Sequence, residues 1–168
     1  FQGKVNSATV YMQLNESDAL NYCVPFGRIF KVIFHLPNEI ATPFHKAYYV
    51  SYDHRRVITL TAQKLKSDES MHNYSPEKRG CYFEGEKKLQ FFNSYTKALC
   101  DYECFANYTL NKCGCVKFSM PRENDTPVCD LDNSHCYFYA TNEWTQFDEE
   151  SDKKKSQCDC LPTCDDIK

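Results

Sequence analysis

Residues 112–129 read KCGCVKFSMPRENDTPVC, and residues 158–164 read CDCLPTC. Each stretch holds a C-x-C unit, Cys113 with Cys115 and Cys158 with Cys160, and each has a further cysteine beyond it, Cys129 and Cys164. Paired cysteines at this spacing can serve a metal ion, a reactive thiol or a set of disulfides. Which of these applies determines the compartment first and most of the fold after it.

Of the eleven cysteines in 168 residues, ten fall between Cys81 and Cys164. In a reducing cytosol such a cluster points to metal, and outside the cell it points to a disulfide framework. Four sequons favour the second setting: Asn15-Glu16-Ser17, Asn73-Tyr74-Ser75, Asn107-Tyr108-Thr109 and Asn124-Asp125-Thr126. A hydrophobic fraction of 42% with 15% aromatic residues is that of a globular chain. A net charge of −3 offers no basic footprint for nucleic acid. No apolar run approaches the ~18 residues of a membrane span, and no signal peptide is visible. The opening Phe1-Gln2-Gly3 reads as the remnant of a tag-removal site. The chain as a whole reads as a piece of something longer.

Residues 4–77 read as strands. ATVYMQL (8–14) alternates, RIFKVIFH (28–35) is β-branched and aromatic, and HRRVITLTAQ (54–63) alternates cleanly. Pro37-Asn38 and Pro43 punctuate them. The polar segment 66–80 reads as a linker. From Glu86 to about Phe105 the period turns helical: Phe91, Tyr95, Ala98 and Tyr102 form one row, and Phe92, Thr96, Cys100 and Cys104 a second. The aromatic stripe reads as core. A second helix is expected over 137–150, around Trp144 and Phe147, running into the charged turn DEESDKKKSQ (148–157).

Structural zinc sites bring their ligands as C-x2–4-C knuckles or with paired histidines. This chain has no C-x-x-C, and its five histidines are scattered singly. A thiol oxidoreductase would also want C-x-x-C, and a cysteine nucleophile would stand alone with a histidine partner. With only five glycines, no G-x-S-x-G and no H-E-x-x-H, the sequence offers no enzyme and no cofactor site. Disulfides make better geometric sense. On a helix, Cys100 and Cys104 share a face about 6 Å apart. On a strand, Cys158 and Cys160 point the same way about 6.6 Å apart, so two parallel rungs could join the pairs. Cys113 and Cys115 would share a strand face in the same way, opposite Cys129 and Cys136. Ten cysteines allow on the order of a thousand pairings, and crossed rungs such as Cys100–Cys158 fit the spacing as well as nested ones.

CYFEGEKKLQFFNSYTKALCDYEC (81–104), NYTLNKCGCVKFSMPRENDTPVC (107–129) and CDCLPTC (158–164) resemble the cysteine-rich thumb of degenerin/epithelial sodium channels, in particular the insect pickpocket branch. YSPEKRGC (74–81) and FKVIFHLPNE (30–39) resemble the palm and β-ball of the same ectodomain. The resemblance implies an α+β fold, with antiparallel palm and β-ball strands over 4–77 followed by a disulfide-rich helical thumb over 78–168. It implies five nested thumb bridges: Cys81–Cys164, Cys100–Cys160, Cys104–Cys158, Cys113–Cys136 and Cys115–Cys129. It further implies a subunit of a trimeric, sodium-selective, amiloride-sensitive channel at the plasma membrane, partnered by other subunits and responding to an extracellular ligand or proton. Both membrane helices and the pore lie outside this stretch.

Acid-sensing members of that family gate through carboxylate pairs. The corresponding region here holds Glu143, Asp148, Glu149 and Glu150, and charge runs of this kind mostly serve solvation. The coupling aromatic before the thumb has Tyr74 as its nearest counterpart. Cys23 is the odd cysteine, and a partner outside this stretch is the reading preferred over a buried thiol. A secreted disulfide-rich binding module on the same scaffold is the competing expectation.

Overall fold

The computed structural model describes residues 8–13, 15, 29–51, 54–146 and 158–167. Two compact units are present, one formed from 1–34 with 46–59, the other from 35–45 with 60–168.

In the first unit, the run IFKVI becomes β1 (Ile29–Ile33), because β-branched and aromatic side chains suit a pleated, half-buried surface. It pairs antiparallel with β2 (Ala47–Ser51), Ile29 opposite Ser51 and Ile33 opposite Ala47. Sequence reading missed β2, although its Tyr48, Tyr49 and Val50 are strong strand formers. Two strands expected from alternation do not form. Residues 8–13 and 54–63 carry no strand, and Val10, Tyr11, Val57 and Leu60 lie exposed. Alternation describes a two-faced segment, but a strand also needs a neighbouring edge to satisfy its N–H and C=O groups.

The second unit departs from expectation at 66–80, which is structured rather than a linker. Asp68 caps a 3-10 helix (Glu69–Asn73) by accepting from the Ser70 N–H. Helix α1 (Pro76–Arg79) follows, with proline at its first turn and Gly80 in the left-handed region at φ 73°. Just before them, β3 (Lys64–Leu65) pairs antiparallel with β4 (Asp166–Ile167).

Helix α2 runs from Lys97 to Cys113, eleven residues later in its start than the periodicity suggests. Thr96 sets that start by accepting from the Leu99 N–H. Residues 84–96 form turns instead, because the Glu103 carboxylate accepts the backbone N–H groups of Gln90 and Phe91 at 2.9 and 3.0 Å. A side chain thereby takes over what a helix would have supplied. Helix α3 (Ser134–Thr145) starts three residues before the expected 137; 147–150 lie outside the described residues.

The core joins Tyr102, Phe105 and Ala106 of α2 to Val116 and Met120 of the following loop and Trp144 of α3. Phe105 is fully buried. Its ring lies 5.4 Å from that of Trp144 and 5.4 Å edge-on from Phe44, which the 35–45 segment delivers to the same core. Burying a side chain of this size contributes about 1.5–3 kcal/mol.

Candidate functional site

The five disulfides and the groups around them form the candidate site. Cys100 and Cys104 lie on one face of α2, one helical turn apart. They bond to Cys160 and Cys158, with Cα separations of 5.7 and 6.0 Å. Cys158 and Cys160 do not sit on a strand, as the geometric reading supposed. They flank a turn whose middle residue, Asp159, has φ 50°. The turn is braced from outside: the Tyr82 hydroxyl donates to the Asp159 carboxylate, and Lys87 Nζ approaches it at 3.1 Å. The Tyr95 hydroxyl donates to the Leu161 carbonyl at 2.6 Å.

Beyond the turn the chain is clamped at its base. The Tyr82 N–H donates to Pro162 O, and the Cys164 N–H to Tyr82 O, each at 2.9 Å. Cys81 bonds to Cys164, with Cα atoms 5.0 Å apart. Ser67 donates from its N–H to Asp165 and from its hydroxyl to Cys164 O, at 2.7 and 2.6 Å. One residue holds the approach to Cys81. Arg79, 2% exposed in its side chain, donates to the carbonyls of Tyr74 and Cys81 at 2.7 and 2.9 Å and to the Glu86 carboxylate. Its guanidinium stacks 4.6 Å from the Phe83 ring, which in turn stacks on His72 at 3.7 Å. Sequence reading passed over Arg79 and Asp159. Their adjacency to bridging cysteines was the available signal.

The far end is built around Gly114. Cys113 is the last residue of α2, Gly114 is left-handed at φ 69° with its N–H on Leu110 O, and Cys115 lies beyond. The expectation that Cys113 and Cys115 share a strand face is therefore corrected: a helix terminus separates them. Cys115 bonds to Cys129 and Cys113 to Cys136. Val116 exchanges hydrogen bonds with Pro127 and Cys129 across the loop, each at 2.9 Å. Phe118, Leu131, Phe138 and Tyr139 stand exposed there.

Of the carboxylates in the region corresponding to the acid-sensing pairs, Glu143 accepts from the Tyr108 hydroxyl at 2.6 Å and from the Lys112 ammonium. Burial, followed by the bond to Glu143, pushes the Tyr108 hydroxyl up. For Lys112, burial acts downward, and its bonds to Glu143 and Tyr108 outweigh it, so its ammonium lies above the usual range. Asp148, Glu149, Glu150 and Cys23 lie outside the described residues. Tyr74 is half exposed, with Lys78 Nζ 5.0 Å over its ring. Asn15, Asn73, Asn107 and Asn124 are all exposed, but Asn107 lies within α2 rather than past its end. Among the described residues, no cluster of His, Cys, Asp or Glu is disposed to hold a metal. No helix among them is long and apolar enough to cross a membrane.

A family profile described as amiloride-sensitive sodium channel matches residues 2–168. The chain is 29% identical over 136 residues to Pickpocket protein 11 of Drosophila melanogaster, covering 81% of this chain and 25% of that protein. It is 26% identical over 154 residues to Pickpocket protein 28 of the same organism, covering 90% and 25%. To Sodium channel protein Nach of Drosophila virilis it is 28% identical over 109 residues, covering 64% and 27%. The chain thus spans about a quarter of the length of these relatives. Because the family match runs through every cysteine of the ladder and nearly the whole sequence, this chain belongs to the amiloride-sensitive sodium channel family.

Proposed function

We propose that this chain is part of the extracellular region of a pickpocket-type sodium channel subunit, and that its stapled unit relays an extracellular stimulus, a ligand or a proton, to a pore formed elsewhere in the protein. In this reading, 78–168 is the thumb and 4–77 contributes palm and β-ball strands. The subunit assembles with like or related subunits as an amiloride-sensitive trimer at the plasma membrane. Glycans on exposed Asn15, Asn73 and Asn124 face the outside, and Cys23 pairs with a cysteine in the remainder of the protein.

One observation carries the relay. Helix α2 is bonded twice to the 158–160 turn, and the same short stretch is bonded at once to Cys81, Tyr82 and Ser67. Displacement of the helix cannot be absorbed within the turn and passes to the base, as in a rigid lever. The test is made in the full-length channel, with currents recorded per labelled surface subunit. Cys81→Ser with Cys164→Ser is expected to impair gating more than Cys115→Ser with Cys129→Ser. Equal surface levels with normal gating in both would leave the bridges purely structural. The alternative, a binding module, draws support from the exposed Phe118, Leu131, Phe138 and Tyr139. Two apolar spans of ~20 residues flanking this region in the full transcript would decide for the channel.

A further inference from the structure

The sequon Asn107-Tyr108-Thr109 lies wholly within α2. Residues two apart on a helix point about 200° away from each other. Asn107 accordingly faces outward, whereas Thr109 is completely buried and its hydroxyl donates to Phe105 O at 2.8 Å. N-glycosylation requires the asparagine amide and the hydroxyl two residues on to be presented together. The finished helix separates them. Asn124-Asp125-Thr126 is different: it occupies an exposed turn in which Asn124 is exposed and Thr126 half-buried.

We propose that Asn107 is an N-glycosylation site that is modified before α2 forms, so that its occupancy records a race between sugar transfer and folding. The proposal rests on the extracellular reading above. In the transfer, the Asn107 amide nitrogen bonds to C1 of the sugar of a lipid-pyrophosphate-linked oligosaccharide. The C1–O bond to pyrophosphate breaks, the lipid pyrophosphate departs, and the amide proton is lost to solvent.

Two features keep the sequon open long enough. Alone, α2 is a poor helix: its seventeen residues include threonine, three cysteines and several aromatic and asparagine positions of indifferent propensity, and such a segment relies on tertiary packing. The packing arrives late. Cys104 waits for Cys158, 54 residues further on, or roughly 3–11 s at the usual pace of synthesis. Once folded, the helix leaves Asn107 exposed, so a sugar already attached there stays in solvent.

The experiment compares two ways of offering the chain to oligosaccharyltransferase, with site occupancy read by peptide mapping. Translated into microsomes, both Asn107 and Asn124 are expected to carry glycan, and Asn107→Gln should remove one glycan while retaining the five bridges. Offered instead as purified, unglycosylated protein with bridges intact, Asn124 should be accepted. Asn107 should react at least about tenfold more slowly, since local opening of the helix must come first, and reduction of the bridges should restore it. Asn107 empty in microsomes while Asn124 is filled overturns the proposal, as does equal transfer to Asn107 in the oxidised and reduced chains. Microsomes impose the lumenal setting, so neither negative result bears on the extracellular reading. That reading fails separately, if the native full-length protein carries no glycan at any sequon.

Discussion

Asp159 sits between two bridging cysteines in a backbone conformation that aspartate tolerates better than most residues. The Tyr82 hydroxyl, and then Lys87, donate to its ionised form and hold its carboxyl below the usual range. The same contact acts on Tyr82. Burial first, and the bond to Asp159 second, push its hydroxyl up from 10 to about 12. The signs are opposite. Tyr82 has a raised folded value, so its contribution to stability is complete below pH 10 and is lost as pH rises towards about 12. Asp159 has a depressed one, so its contribution is present above 3.8 and is lost as pH falls below it. Replacing Tyr82→Phe should remove, from the near-ultraviolet tyrosinate titration, a component centred near 12. If the missing component titrates at the ordinary tyrosine value, the Tyr82–Asp159 contact is not formed in solution.

At the scale of the element, α2 is defined by its two ends more than by its apolar period. Thr96 starts it and Gly114 stops it, and the stop places Cys113 and Cys115 on different paths to their partners. A Cβ at Gly114 would meet nothing within 4 Å, so substitution there tests backbone strain alone. Gly114→Ala is expected to cost about 1–2 kcal/mol, the penalty of a left-handed non-glycine residue, with Gly114→Asn costing less. Urea denaturation under oxidising conditions measures both. An alanine variant as stable as the parent would mean that the helix does not end at Gly114.

For the stapled unit taken whole, the bridges are nested, and nesting makes them unequal. With Cys100–Cys160 in place, Cys104–Cys158 closes only a further loop of about six residues, worth roughly 2 kcal/mol of chain entropy. The same holds with the roles exchanged. Cys100→Ala with Cys160→Ala, or Cys104→Ala with Cys158→Ala, should therefore each cost roughly 2 kcal/mol, whereas opening both rungs should cost roughly 5 kcal/mol. Simple additivity of the two pairs in denaturation would indicate that the rungs do not share the work of holding α2 to the 158–160 turn.

Read alone, the amino-acid sequence decides the chemistry of the ladder and one strand of the first unit. Ten clustered cysteines without C-x-x-C, in a chain bearing sequons, leave disulfides as their use, and the IFKVI run can hardly be other than a strand. Periodicity also located the buried face of Tyr102. It could not place the start of α2, because period reports which side is apolar and says nothing of where a side chain such as Glu103 intercepts the backbone N–H groups. It likewise overcalled 54–63, since alternation carries no information about whether a partner edge exists. Cysteine spacing admits nested and crossed rungs alike. The choice between them depends on the path by which 158–164 returns along α2, with Tyr82, Arg79 and Ser67 holding that path. Phe44, 58 residues from Tyr102 in sequence yet packed beside it, belongs to the same class of fact: contacts between distant segments are set when the chain closes on itself, and no local pattern encodes them.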